Sequence, residues 1–170
     1  TKENLEASNQ LFIRLVEEMH RRGMKVIVDG VFNHCGSFNR WMDREQIYEG
    51  QDGYEPGAYT SAESPYRKFF RFYTESEGCW PYNGSYEGWW GHETLPKLNY
   101  EESEELEDYI IHVGKKWVSE PFCADGWRLD VAADLGHDNS YNHRFWKKFR
   151  TAIKEANPNA IILAEHYGNA

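Results

Sequence analysis

The 170-residue chain is poor in cysteine, short of positive charge and without any long apolar run. Nineteen Lys and Arg stand against 28 Asp and Glu, a formal net charge of −9. Such a chain repels polyphosphates and anionic headgroups, which argues against nucleic acid or a membrane surface as partner. No apolar stretch approaches the length of a membrane span, and the first residues do not read as a signal peptide. The cysteines, Cys35, Cys79 and Cys123, are odd in number and lack zinc-type spacing, as do the histidines. They are expected to be reduced and structural; a Cys35–Cys79 disulfide stays open for a secreted protein. The compartment is not encoded legibly, with cytoplasm slightly favoured over secretion. Internal repeats and low-complexity tracts are absent too. Aromatic rings are abundant instead: seven Trp, eleven Tyr and nine Phe. The Trp and Tyr fall largely outside the expected strands, which suits a polar, ring-shaped ligand as well as a core.

Periodicity alternates between helix and strand. Leu11, Phe12, Leu15, Val16 and Met19 share a helical face, with Gly23 as the stop. Lys25 to Asp29 reads as a short buried strand. From Cys35 to Asn99 regular pattern gives way to Gly, Pro, Tyr, Trp and charge, too long a stretch for an ordinary loop. Asn99 with Glu102 resembles a capping box for a helix carrying Leu106, Tyr109, Ile110, Val113 and Trp117. The acidic run from Glu101 to Asp108 suits the positive end of that helix. Residues 124–130 form a second strand. Phe145, Phe149 and Ile153 mark a helix stopped at Asn157-Pro158, and 160–164 form a third strand. Strands separated by helices predict an α/β fold with a parallel sheet. A sheet of three strands leaves both edges and much apolar surface open, so the chain reads as a slice of a larger barrel or sheet, prone to self-association.

The strand ends carry the chemistry. Asp29, Asn33 and His34 follow the first strand, Arg128 and Asp130 end the second, and Glu165 ends the third. Reactive residues gather at the carboxyl ends of parallel strands. Arg128 and Asp130, two apart in a strand, point to the same face, and the guanidinium keeps the carboxylate ionised. A structural ion pair explains Arg128 and Asp130 alone equally well; three such strand ends favour an active site.

Three runs resemble the first three signature regions of the α-amylase superfamily of retaining glycoside hydrolases. They are Asp29-Gly30-Val31-Phe32-Asn33-His34, Gly126-Trp127-Arg128-Leu129-Asp130-Val131-Ala132 and Ala164-Glu165-His166-Tyr167-Gly168. They occur in the family's order, and the irregular insertion falls where the family carries its B domain. Leu95-Pro96-Lys97-Leu98-Asn99 is similar to a further signature in the form found in neopullulanase, cyclomaltodextrinase and maltogenic amylase. The resemblance implies part of a (β/α)8 barrel, about strands 3 to 5. Residues 1–34 and 100–170 would supply the barrel, and 35–99 the inserted B subdomain. The family's fourth signature has no counterpart in this sequence, so these residues by themselves are expected to be inactive.

The resemblance further implies α-1,4-glucan hydrolysis, on starch-type glucans, maltodextrins, cyclodextrins or pullulan. Asp130 would be the nucleophile and Glu165 the acid/base. Retaining hydrolysis places two such carboxyls about 5–5.5 Å apart. Burial beside Asp130 is expected to raise the Glu165 pKa. His34, Arg128, Asp134, His166, Tyr167, Trp89 and Trp90 would contact substrate, and Asp29 would brace Arg128. Trp80 and Tyr86 are further stacking candidates, with core packing as the alternative for these aromatics. Asp134 stands where the subgroup often has Glu. No cofactor is obligatory; the family allows calcium, with Asn33 and Asn99 at ligand positions. Two other readings remain: a glucanotransferase or branching enzyme using the same covalent intermediate, and a non-catalytic barrel homologue serving as a binding or transporter-associated subunit.

Overall fold

The computed structural model describes residues 2–76 and 78–167. The chain divides into two compact units. Thr1–Gly30, Asp108–Ala133 and His137–Ala170 form the first, and Val31–Glu107 with Asp134–Gly136 form the second.

The first unit is built on strands β1 (Ile27–Gly30), β2 (Gly126–Leu129) and β3 (Ile161–Ala164). They run parallel in the order β1-β2-β3, with Asp29 beside Arg128 and Arg128 beside Leu163. Helices α1 (Lys2–Arg21), α2 (Glu104–Val118) and α3 (Asn139–Ala156) precede the three strands in turn. This is the expected α/β class with a parallel sheet.

Alternation along β2 divides its side chains. Trp127 and Leu129 are buried; the Trp127 indole donates to Gly114 O of α2 at 3.0 Å and meets Phe149 of α3 edge-on, centroids 6.5 Å apart. A Cβ on Gly114 would lie 2.6 Å from the Phe149 ring, so the close approach of α2 and α3 needs glycine there. The apolar face of α3 (Phe145, Phe149 and Ile153) is buried as its spacing predicts. The Asp138 carboxylate caps that helix by accepting from Tyr141 N–H at 3.0 Å. Burying each of these large side chains contributes about 1.5–3 kcal/mol.

Asp125, just before β2, ties three neighbours together. It accepts from Lys25 Nζ at 2.9 Å and Val26 N–H at 2.8 Å, and contacts His20 Nε2 at 2.7 Å. Burial works against its ionised form, but these partners outweigh it and hold the carboxyl below its ordinary pKa.

Two sequence expectations are corrected. The apolar face of α1 splits: Val16 is buried and Phe12 packs on Trp117 and Phe122, whereas Leu11 and Leu15 are exposed. Residues four apart share a helical face, but they are buried only where a partner covers its whole width. The capping box also fails. Asn99 makes no side-chain cap and precedes a single 3-10 turn, Tyr100–Glu102. Ser103 caps α2 instead, its hydroxyl accepting from Leu106 N–H at 3.2 Å.

The second unit has almost no regular structure. Single bridges His34–Lys97, Phe70–Leu98, Phe72–Tyr86 and Gly88–Pro96 hold it together, with short 3-10 turns at Arg67–Phe69 and Trp89–Gly91. Its core is aromatic: Phe32, Trp41, Phe69, Phe70, Phe72, Tyr86 and Tyr100 are all buried, beside Met42 and Leu98. Rings supply large apolar area without demanding a backbone period, which suits an irregular chain. Asp43, fully buried, is satisfied by the N–H groups of Ile47 at 2.7 Å and Tyr48 at 3.1 Å. All three cysteines are free thiols, and burial pushes the Cys35 thiol up to about 12. The Cys35–Cys79 disulfide does not form. No described helix is long and apolar enough to cross a membrane.

Candidate active site

Parallel pairing sets the first unit's polar residues at one end of its strands. Asp130 N–H donates to Gly30 O at 3.1 Å, and Glu165 N–H donates to Leu129 O at 2.9 Å. Each carboxylate is thus the first residue past its strand, on neighbouring strands. Arg128 binds both. Its Nη1 lies 2.6 Å from Asp130 Oδ1 and its Nη2 lies 2.9 Å from Glu165 Oε2. Nη1 also reaches Asp29 at 3.0 and 3.2 Å. Three carboxylates around one guanidinium raise the Arg128 pKa, hydrogen bonding to Asp29 contributing most and to Asp130 next. The fork geometry of guanidinium makes this three-way contact from its two terminal nitrogens.

Glu165 departs from expectation. Its pKa is lowered, not raised. The Tyr167 hydroxyl donates to Oε1 at 2.6 Å and the Val131 N–H to Oε2 at 2.9 Å. Arg128 adds its charge, and a hydrogen bond with Asp130 contributes least. The expectation counted burial beside Asp130 and paired Arg128 with Asp130 alone; the two donors and the charge of Arg128 on Glu165 itself favour the anion.

Val131 reaches Glu165 by a strained backbone. Its φ is +47°, in a region that β-branched residues avoid. The segment after β2 is fastened from α3, where Trp146 Nε1 donates to Ala132 O at 2.7 Å and Asn142 Nδ2 to Ala133 O at 2.6 Å. Glu165 and the exposed His166 line an open cleft of about 370 Å³ with Ala132, Asn142, His143 and Trp146. Gly168 of the third motif lies outside the described residues.

The second unit holds a separate group. The His34 ring stacks on Trp89 with centroids 5.1 Å apart and planes 14° apart, and Trp89 stacks on Trp90 at 5.1 Å and 24°. Trp89 therefore has ring partners on His34 and Trp90. Trp90 is 77% exposed, and its φ of +51° turns it outward. Trp80 is tied down by its indole N–H, which donates to Ala58 O at 2.9 Å, and Tyr86 is core. Asp134 has an exposed side chain, and its carbonyl accepts from Lys97 Nζ.

Calcium does not fit the residues present. Asn33 Oδ1 accepts from Lys97 Nζ at 3.0 Å, and the same ammonium takes the carbonyls of Asp134 and Leu135. Asn99 is buried, and its Nδ2 finds no hydrogen-bond partner among the described residues. Among those residues no three His, Cys, Asp or Glu side chains converge to hold a metal. Calcium needs six to eight oxygens, and of the two side chains expected here Asn33 already gives its oxygen to the Lys97 ammonium.

Sequence reasoning missed two participants. Lys97 lies in a motif noted for its likeness and drew no separate reading, although a lysine flanked by Leu95, Pro96 and Leu98 is a visible oddity. The Val131 N–H is a backbone group and leaves no mark in composition.

Residues 7–170 match the family model for the α-amylase catalytic domain. The chain belongs to that family. Among curated relatives of this α-amylase-family chain, amylopullulanase of Thermoanaerobacter thermohydrosulfuricus is 34% identical over 178 aligned positions, covering 94% of the chain and 11% of the relative. Neopullulanase 2 of Thermoactinomyces vulgaris is also 34% identical, over 94% of the chain and 24% of its own length. The chain thus spans a quarter or less of these relatives. Among solved structures, the acarbose-soaked debranching enzyme of Nostoc punctiforme superposes with a TM-score of 0.73 at 29% identity, over 95% of the chain and 31% of that protein. The parallel sheet is part of a (β/α)8 barrel, as the sequence resemblance implied.

Proposed function

We propose that the protein carrying this chain hydrolyses α-glucosidic bonds in glucans such as pullulan, cyclodextrins and maltodextrins, with retention of anomeric configuration. The observation that carries the reading is the pair Asp130 and Glu165 on adjacent strand ends, both bound by Arg128. Family membership and relatives named for pullulan and cyclomaltodextrin support it.

In the first step an Asp130 oxygen attacks the anomeric carbon as the bond to the leaving glucosyl oxygen breaks. Glu165 gives its proton to that oxygen. In the second, Glu165 takes a proton from water, the water oxygen attacks the same carbon, and Asp130 leaves as carboxylate. Arg128 aims Asp130 through its 2.6 Å contact, and Asp29 steadies the guanidinium. The anionic Glu165 of the free site is the form required for the second step. The first needs the acid form, so its rate falls as pH rises through the Glu165 pKa. His34 is assigned as a donor to a sugar hydroxyl and Trp90 as a stacking platform for a glucose ring. Trp89 stacks on both rings and sets the plane of His34.

Proton NMR of the earliest products from maltoheptaose tests the reading. The full-length protein should release α-anomers, and an Asp130→Ala variant should release none above background. β-Anomers as first products would refute the double displacement.

A further inference from the structure

Lys97 is 8% exposed and Asn33 is fully buried, and the two are joined Nζ to Oδ1 at 3.0 Å. An ammonium has only hydrogens to offer, so the atom of the Asn33 amide that faces it must be the oxygen. That fixes which way the amide lies, an orientation otherwise open to a flip. The Asn33 nitrogen, Nδ2, then faces His34 Nδ1 at 3.2 Å. Nδ2 carries two hydrogens and no lone pair to share, so Nδ1 must accept.

We infer that Lys97 acts through Asn33 to set the tautomer of His34, leaving Nδ1 bare and the ring proton on Nε2. Lys97 is a positioning residue in this scheme. The consequence for substrate rests on the glucan-hydrolase reading: His34 presents an N–H, not a lone pair, from the far side of its ring. The Trp89 ring lies parallel to His34 and fixes the plane, while the Lys97–Asn33 contact fixes which nitrogen donates.

The backbone supports the same relay. His34 and Lys97 form an antiparallel bridge, Leu98 N–H donates to Asn33 O at 3.0 Å, and Cys35 N–H donates to Pro96 O at 3.1 Å. The ammonium's other acceptors, the carbonyls of Asp134 and Leu135, prevent it from swinging away. Burial lowers the Lys97 pKa, opposed by the charges of Glu87, Asp134 and Glu101, which favour the ammonium. A cation supplied by the chain thus holds the Asn33 oxygen.

Nitrogen-15 spectra of full-length protein labelled at histidine test this, with His34 assigned by comparison with a His34→Gln variant. Wild type should show a pyridine-like Nδ1 and a pyrrole-like Nε2. Lys97→Met releases the amide; both tautomers should appear, and kcat/KM should fall by roughly ten- to hundred-fold, the scale of a hydrogen bond to a charged group. Asn33→Asp still accepts from Lys97 but offers no N–H, so Nδ1 should become protonated, and this variant decides the matter if Lys97→Met does not fold. Chelator and added calcium should leave the wild-type melting temperature unchanged. A pyrrole-like Nδ1 in wild type, spectra unchanged in both variants, or a calcium-dependent rise in melting temperature would each overturn the inference. The tautomer is read without turnover, so a protein that cleaves no glucan can still confirm or sink it.

Discussion

Tyr167 and Glu165 show how one hydroxyl sets the working range of a carboxyl. The Tyr167 hydrogen bond is the largest of the influences holding Glu165 below its ordinary value of 4.5. The limb of kcat/KM that falls with rising pH reports the free enzyme's general acid. Tyr167→Phe removes the donor, so the Glu165 pKa should rise and that limb should move to higher pH. A pH profile of kcat/KM on maltoheptaose checks the sign; a shift toward lower pH would contradict the assignment. The pairing of Arg128 with Asp130 was legible in sequence because alternation in a strand is a strict geometric rule. The depressed pKa of Glu165 was not, because two of its donors come from outside that rule. One is the backbone of Val131 and the other is a side chain beyond the end of β3.

Strand β2 is the element on which the site depends, and Gly126 decides whether it can pair. Its φ is +156°, and a Cβ there would fall 2.0 Å from Ile161 O, a backbone atom that cannot step aside without breaking the β2–β3 register. Gly126→Ala should therefore destabilise by at least about 2–3 kcal/mol, the upper range of overpacking, as measured by urea unfolding. An unchanged midpoint would show that the strands part more easily than this packing implies. Asp125, the preceding residue, sets the acid limit of the same element. Its folded pKa is depressed, so its stabilisation is complete above the unfolded value near 3.8 and is lost as pH falls through the folded one. The strands and the buried face of α3 were readable from sequence because apolar period and burial coincide there. Helix α1 was only half readable, since period alone does not reveal that Leu11 and Leu15 lie uncovered. In the second unit the aromatic core follows no period, so composition announced the rings but not their neighbours.

At the scale of the molecule, the sheet face opposite Trp127 carries uncovered apolar residues. Ile27, Ile161 and Leu163 are 38%, 52% and 59% exposed. Contiguous apolar exposure on a sheet favours association. These 170 residues expressed alone should self-associate and show no turnover of maltoheptaose above a Glu165→Gln control. Sizing by light scattering with a sensitive reducing-sugar assay checks both, and a monomer with measurable turnover would refute the expectation. In the full-length protein, the account stands on Asp130 becoming covalently glycosylated. Trapping with a fluorinated glycosyl fluoride, followed by peptide mass spectrometry, tests it most directly. The expected result is a single adduct on Asp130, absent in Asp130→Ala; an adduct on Asp29, Glu165 or any other carboxylate would contradict it.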